Sequence, residues 1–232
     1  MSPIGNRAYL KIQRPDKETV NLFKGIPIAC IADNMNRISC VDQSIKNYGG
    51  KKDLLGTAFT IKVPEGDNLM IHMALDLLQE GDALVVAGNG CMHRSLVGEI
   101  MCTYAFTKGC SGMVIDGLIR DAEGISRLPM PVYAKGIQAN GPFKNGLGEM
   151  NIPVSVGGIV VYPGDIIVGD EDGVVAIRPH EAVELAEKSL ATYKAEEKLL
   201  KAMRETGEWN RQVFWDAIEQ SNVEKIDGSF AD

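Results

Sequence analysis

Arg120 and Asp121 stand side by side where a short apolar strand, Met113-Val114-Ile115, has run on into Asp116-Gly117-Leu118-Ile119. The pair offers two opposed chemistries: a guanidinium clamps an anion through its planar fork, and a carboxylate holds a hard cation. Gly98, ahead of a helix-like run that begins Glu99-Ile100-Met101 and lasts to Lys108-Gly109, offers a third. A glycine followed by a helical pattern leaves the first backbone N–H groups of the helix without acceptors, and such an end attracts carboxylate or phosphate. An anion site beside a cation site is what an enzyme acting on a small keto acid requires. An arbitrary Arg-Asp dipeptide is ordinarily a surface ion pair or a helix cap, and Glu99 taken alone is equally an acid complementing a helix dipole. Position decides in favour of a site, because both stretches follow strands and an open βα arrangement puts the ends of such strands on one edge.

The elements that must position these residues follow from periodicity. Ala83-Leu84-Val85-Val86-Ala87 is a continuous apolar strand with a glycine loop, Gly88-Asn89-Gly90, at its carboxyl end; strand, loop, helix and strand make a βαβ unit. The loop is no dinucleotide fingerprint, since His93 occupies the third glycine position. Upstream, the reading is a helix over Lys17 to Phe23, a strand over Ile26 to Ile31, an alternating strand over Gly56 to Val63 and a buried helix over Leu69 to Leu78 capped by Asp67 or Asn68 and ended by Gly81. From Pro131 on, Val132-Tyr133-Ala134, Ile152 to Val156, Ile159 to Val161, Ile166 to Val168 and Val174 to Ile177 read as hairpins closing a small β layer. Asp170-Glu171-Asp172-Gly173 lacks the spacing of a calcium loop and reads as a turn. Glu181 to Arg204 is a long amphipathic helix, and a shorter one over about Asn210 to Gln220 puts Trp209, Val213, Phe214 and Ile218 on one side, more apolar surface than a tail needs. The organisation read from this is a polar lead-in over 1–24, a main domain over 25–180, and C-terminal helices over 181–232 that pack on a neighbouring subunit or back on the body.

Composition removes several function classes. A net charge of -7 argues against a general nucleic-acid surface. No apolar run approaches the ~20 residues that cross a bilayer. The five cysteines form no Cys-x-x-Cys pair, and Met-Ser-Pro-Ile-Gly shows no signal pattern, so a cytoplasmic protein with reduced thiols is expected. His72 lies in an apolar helix and reads as a core or interface residue, His180 as a cap beside Pro179, and His93 alone lies in the candidate loop. No two of these histidines have metal-ligand spacing, so zinc is not expected. Cys91 reads as a small loop residue, and no Gly-x-Ser-x-Gly elbow is present. Lys135, Lys144 and Arg94 read as solvated positions that are also candidates for a distal substrate carboxylate.

Gly66-Asp-Asn-Leu69, Gly98-Glu99, Asp116-Gly-Leu-Ile-Arg-Asp121, Pro131-Val-Tyr133, Asn151-Ile-Pro-Val-Ser-Val156 and Val161-Tyr-Pro-Gly-Asp165 through Asp172-Gly-Val-Val175 together resemble a known family. It joins the 4-hydroxy-4-methyl-2-oxoglutarate and 4-carboxy-4-hydroxy-2-oxoadipate aldolases to the regulator of ribonuclease activity A. The resemblance implies an α/β three-layer sandwich related to swivelling phosphohistidine domains, with a long C-terminal helical extension, assembled as homotrimers or homohexamers with sites between subunits. It implies a class II aldolase, dependent on Mg²⁺ or Mn²⁺, that releases pyruvate and also decarboxylates oxaloacetate. By the same resemblance Asp121 ligates the metal and Arg120 holds the keto or carboxylate oxygen. Gly98, Glu99, Ile100 and Met101 bind the pyruvyl carboxylate through backbone N–H groups, and Glu99 reaches the metal through water. A glutamate of the neighbouring subunit, Glu196 or Glu197, does the same. The rival expectation is a protein-binding regulator of a ribonuclease with no chemistry of its own, a branch that lacks the aspartate matching Asp121. A phosphotransfer domain is third, and no histidine sits where a phosphate-cradling helix start would activate it.

Overall fold

The computed structural model describes residues 4–146 and 148–230, and the chain divides into two compact units, 1–191 and 192–232. In chain order the first unit holds β1 (Arg7–Ala8), α1 (Lys17–Asn21), α2 (Ile28–Asp33), β2 (Lys46–Asn47), β3 (Leu54–Lys62), α3 (Leu69–Leu75), β4 (Asp82–Val97) and α4 (Glu99–Thr107). It continues with β5 (Gly112–Ile119), α5 (Ala122–Ile125), β6 (Val132–Ile137), β7 (Glu149–Met150), β8 (Val154–Val156), β9 (Ile159–Val161), β10 (Ile166–Asp170) and β11 (Gly173–Ile177). The unit boundary falls inside helix α6 (Ala182–Thr206), and α7 (Gln212–Gln220) belongs to the second unit.

The centre of the first unit is a parallel run of β3, β4, β5 and β6, flanked by β7 and β1 on one side and β2 on the other. Alternation along these strands builds two cores. Phe59, Ile61, Leu84, Val86, Met113 and Ile115 point to one face and meet Ile71 and Leu75 of α3, Met101 and Cys102 of α4 and Ile125 of α5. Ala58, Ala83, Val85, Ala87 and Val114 point to the other and meet Val154, Val156 and Val161 of the β8–β9 hairpin with Ile167 and Val174 of β10 and β11. Burial on both faces is why these strands read as unbroken apolar runs.

Three expectations change. Ile26 to Ile31 is not a strand: α2 begins after Pro27, whose ring presets φ at -58°, and Asp170 Oδ2 accepts the Ile28 N–H at 2.9 Å. Ile28, Cys30 and Ile31 are then buried at helical spacing, a pattern that in six residues a strand imitates. The Gly88–Gly90 loop is instead an outward excursion of β4, which runs on to Val97 with register shifts against β5 at Ala87/Cys91, Cys91/Ser95 and Ser95/Val97. Asn89 (φ 55°) and Gly90 (φ 66°) supply the left-handed residues that such a bulge needs. Finally, β6 belongs to the parallel sheet, pairing with β5, and β10 joins the same sheet through β3, so the later strands are not one separate layer.

The polar N-terminal segment is tied down by a buried ion pair. Arg14 Nε and Nη2 reach Asp82 Oδ1 and Oδ2 at 2.8 and 2.9 Å, and Gln79 N–H donates to Oδ2 at 2.8 Å. Asp82 opens β4 and is fully buried. Arg14→Ala is expected to cost about 3 kcal/mol, because it leaves a buried carboxylate without its cation. A lowered urea midpoint with an unchanged m-value checks this.

In the second unit, α7 leaves Val213, Phe214 and Trp215 exposed, and Trp209 packs edge-on against Phe214 with ring centroids 5.7 Å apart. Among the described residues no helix is long and apolar enough to cross a membrane.

Candidate functional site

Strands β4 and β5 end side by side, with Val97 opposite Ile119, and Arg120 N–H closes the pair on Val97 O at 3.0 Å. The chain leaves β4 through Gly98 into α4 and leaves β5 through Arg120 and Asp121 into α5, so the two stretches singled out in the sequence share one edge. Their approach is close enough that a side chain at Gly98 would push the Asp121 carboxylate aside. A Cβ on Gly98 would overlap Asp121 Oδ2 and lie 3.1 Å from Arg120 Cγ. Asp121 itself is left-handed, with φ 57° and ψ 40°, a conformation that Asp tolerates better than most residues and one that collects at functional sites.

Asp121 Oδ2 accepts the Glu99 N–H at 3.2 Å and lies 3.7 Å from Arg120 Nε; both side chains of the Arg-Asp pair are 45% exposed. The Glu99 carboxyl group folds over α5, where a Cβ on Gly124 would overlap it. At the start of α4, Met101 N–H bonds Gly98 O at 3.1 Å. Of the backbone donors expected to meet a carboxylate, two are therefore already engaged here, while the helix itself supplies no acceptor for Ile100 N–H. The Arg120 guanidinium runs beneath the 140–146 loop, 2.8 Å from where a Gly141 Cβ would stand.

These groups border a cavity of about 200 Å³ lined by Gly98, Ile100, Met101, Arg120 and Asp121 together with Asn68, His72, Leu96, Val97, Pro142 and Lys144. Asn68 is buried; its Nδ2 donates to Leu96 O at 2.9 Å, while Oδ1 has no partner among the described residues. Partial burial, and then the charge of Lys144, depress the pKa of His72 against the opposing pull of Asp76, and the net shift favours the neutral ring. Asp67 holds the far wall: its carboxylate accepts from Leu69 N–H at 2.9 Å, Asn145 N–H at 2.8 Å and Gly146 N–H at 2.7 Å.

Asn68 and His72 are wall residues that sequence reasoning assigned elsewhere, to a cap and to a core or interface, whereas Lys144, read as a solvated position, was also a candidate for a distal substrate carboxylate. The available signal was that Gly66-Asp67-Asn68 follows β3, whose carboxyl end lies on the same edge as those of β4 and β5. Arg94 and Lys135 are not solvated as expected. Arg94 Nη1 donates to Gly141 O at 2.8 Å and its guanidinium lies 3.9 Å from the Phe143 ring centre; Lys135 Nζ pairs with Asp116 Oδ1 at 2.8 Å. Glu196 and Glu197 lie exposed on α6, in the second unit.

The carboxylate oxygens of Asp121 and Glu99, and the unpartnered amide oxygen of Asn68 on the cavity that Asp121 also lines, are hard donors of the kind Mg²⁺ and Mn²⁺ take, and so the residues present fit such an ion. Gly124→Ala tests whether the Glu99 position matters. Alanine suits a helix, so the melting temperature is expected to hold, while displacement of the carboxyl group lowers kcat/KM roughly tenfold to a hundredfold. Steady-state kinetics beside a thermal melt separates these effects.

Residues 28–176 match the family model RraA-like, described as Aldolase/RraA. A protein of Halalkalibacterium halodurans named "Putative 4-hydroxy-4-methyl-2-oxoglutarate aldolase" is 33% identical over 184 residues, 78% of this chain and 88% of that one. One of the same name from Aromatoleum aromaticum is 35% identical over 142 residues, 61% of this chain and 89% of its own. Among solved structures, the RNA-processing inhibitor RraA from Thermus thermophilis matches with a TM-score of 0.61 at 27% identity, covering 65% of this chain and 92% of that one. The Streptomyces coelicolor protein RraAS2, described as an unusual member of the RNase ES inhibitor RraA protein family, matches with a TM-score of 0.74 at 26% identity, covering 82% and 100%.

Proposed function

The chain belongs to the Aldolase/RraA family, and we propose that within it this protein is a divalent-metal-dependent class II aldolase. It cleaves a 4-hydroxy-2-oxo di- or tricarboxylate, such as 4-hydroxy-4-methyl-2-oxoglutarate or 4-carboxy-4-hydroxy-2-oxoadipate, to release pyruvate, and it decarboxylates oxaloacetate as a side reaction. The observation that carries this reading is the convergence of Gly98, Glu99, Arg120 and Asp121 on one sheet edge, so close that a Cβ on Gly98 would displace the Asp121 carboxylate. On this reading the fold is the three-layer sandwich of the swivelling phosphohistidine type with a C-terminal helical extension, and the protein works in the cytoplasm.

Asp121, with Glu99 through water, would hold Mg²⁺ or Mn²⁺. Bound there, the ion polarises the substrate's keto oxygen and stabilises negative charge developing on it. Arg120 places a guanidinium against the same oxygen or its neighbouring carboxylate. The guanidinium passes close to Gly141, 2.8 Å from where a Cβ there would stand, and a donor held near the developing oxyanion lowers the barrier electrostatically. Ile100 N–H is the backbone donor for the pyruvyl carboxylate. Cleavage of the C–C bond and loss of CO₂ from oxaloacetate both leave the pyruvate enolate, which is why one set of groups serves both. The aldol reaction also needs the C4 hydroxyl proton removed, and neutral His72 on the wall and Glu99 beside Asp121 are the acceptors at hand. Lys144 supports recognition of a second carboxylate. The active assembly would be a homotrimer or homohexamer in which Glu196, or its neighbour Glu197, would help hold an adjacent subunit's metal through water.

Lys135 is paired with Asp116, whereas Lys144 lines the cavity with Arg120 and is the residue a Schiff-base mechanism would use, so chelation and borohydride trapping separate the two mechanisms. Chelation is expected to abolish pyruvate release and Mg²⁺ or Mn²⁺ to restore it. Borohydride trapping of a covalent pyruvyl adduct would refute the metal-dependent assignment. The two RraA structures favour one other reading, a ribonuclease-binding protein without turnover.

A further inference from the structure

A second set of donors lies outside the cavity. Cys91 and His93 sit two residues apart on the outward excursion of β4, and Glu65 sits in the turn that follows β3. Residues i and i+2 of an extended strand share a face, so Cys-x-His presents both side chains together, and the parallel pairing of β3 with β4, which ends at Lys62 opposite Ala87, brings Glu65 alongside. Cys91 Sγ, one ring nitrogen of His93 and one Glu65 carboxylate oxygen all lie within 4.8 Å of one another. His93 Nε2 is 2.6 Å from Glu65 Oε1, and these two side chains are 75% and 53% exposed, whereas Cys91 is buried beneath them.

We propose that Glu65, Cys91 and His93 form a binding site for a divalent ion of the zinc class. Thiolate, imidazole and carboxylate are the donors that such an ion prefers, and three of them with one side open to solvent match a four-coordinate site completed by water. Bonds of 2.0–2.3 Å in a tetrahedron separate ligand atoms by about 3.3–3.7 Å. His93 Nε2 and Glu65 Oε1, at 2.6 Å, stand closer than that range and the other separations lie within 4.8 Å, so the adjustment falls on the two exposed side chains, which exchange their mutual hydrogen bond for the ion. Binding displaces the Cys91 thiol proton to solvent and leaves the imidazole neutral. The site is chemically distinct from the all-oxygen set at Asp121 and Glu99. The expectation that zinc is excluded rested on spacing among histidines alone, which a mixed Cys-x-His set on a strand escapes.

The site also has a mechanical consequence. It ties the turn after β3 to the excursion of β4, and each holds the 140–146 loop: Asp67 through Asn145 N–H and Gly146 N–H, Arg94 through Gly141 O. Loading is therefore expected to raise the melting temperature.

Titration of the purified full-length protein with Co²⁺ tests the proposal, because a thiolate ligand gives a charge-transfer band that oxygen ligands do not. One equivalent is expected to produce that band together with the strong visible bands of a four-coordinate ion. His93→Ala and Glu65→Gln, both at exposed positions, are expected to weaken the apparent affinity at least roughly tenfold to a hundredfold and to remove the thermal shift. Cys91→Ser is expected to remove the charge-transfer band, and Asp121→Ala to leave it intact. Absence of the band in the unaltered protein, or a band and an affinity unchanged in His93→Ala, overturns the proposal; a band that persists in Cys91→Ser assigns the thiolate to another cysteine and does the same. Loss of pyruvate release in Asp121→Ala with the cobalt band retained keeps the outcome for this site separate from that for the proposed activity.

Discussion

Asp121→Ala is expected to cost the protein its ion-dependent turnover, a fall on the order of a thousandfold or more that added Mg²⁺ or Mn²⁺ recovers little. The carboxylate stands where β5 ends, its Oδ2 accepting the first N–H of α4, that of Glu99, at 3.2 Å and lying 3.7 Å from Arg120 Nε. On the proposed reading, removing it takes away the carboxylate that would bind the ion directly, and Glu99, folded over α5, would not take its place. The residue is half exposed, so the core is untouched, but its left-handed φ of 57° costs alanine of the order of 1 kcal/mol. Asp121→Asn separates the two effects, since asparagine tolerates the same backbone and lacks the charge. Equal loss of activity in both variants assigns the effect to the carboxylate, whereas full activity in Asp121→Asn assigns it to the backbone.

Arg120→Lys should lower kcat roughly a hundredfold with the ion still bound. Lysine keeps the charge and loses the planar fork, and a loss of that size is what one preorganised donor at an oxyanion supplies. The position of the guanidinium beneath Gly141 adds a reason, because a shorter ammonium does not span the same distance from the β5 end to the loop. Ion affinity measured by Mn²⁺ titration beside steady-state kinetics distinguishes this outcome from that for Asp121: there both fall, here kcat alone.

Legibility in the sequence divided along physical lines. The alternating β4–α4–β5 unit was readable because its apolar runs are long and end at Gly98 and at Arg120-Asp121, and those ends are adjacent in the sheet. Local pattern misread Ile26 to Ile31, where six residues satisfy either period and the deciding partner, Asp170, is 142 positions from Ile28. It misread Gly88 to Gly90 because glycine marks a loop and a bulge alike, and only pairing with β5 tells them apart. The wall residues were harder still. Asn68, His72 and Lys144 come from the residue before α3, from α3 and from the loop after β6, and their convergence rests on Asp67 gathering three backbone N–H groups, a tertiary contact that no spacing announces. For the same reason the Glu65–Cys91–His93 set emerged only when two parallel strands were seen to end together.

The most direct test of the whole account is pyruvate release by the purified chain from a panel of 4-hydroxy-2-oxo dicarboxylates, 4-carboxy-4-hydroxy-2-oxoadipate and oxaloacetate, each with Mg²⁺ or Mn²⁺ and each against a blank containing the ion alone. The account predicts release above the blank from at least one aldol substrate and from oxaloacetate, with both activities lost together in Asp121→Ala. No release above the blank from any member of the panel, with the protein folded and the ion bound, would contradict it and leave the ribonuclease-binding reading in its place.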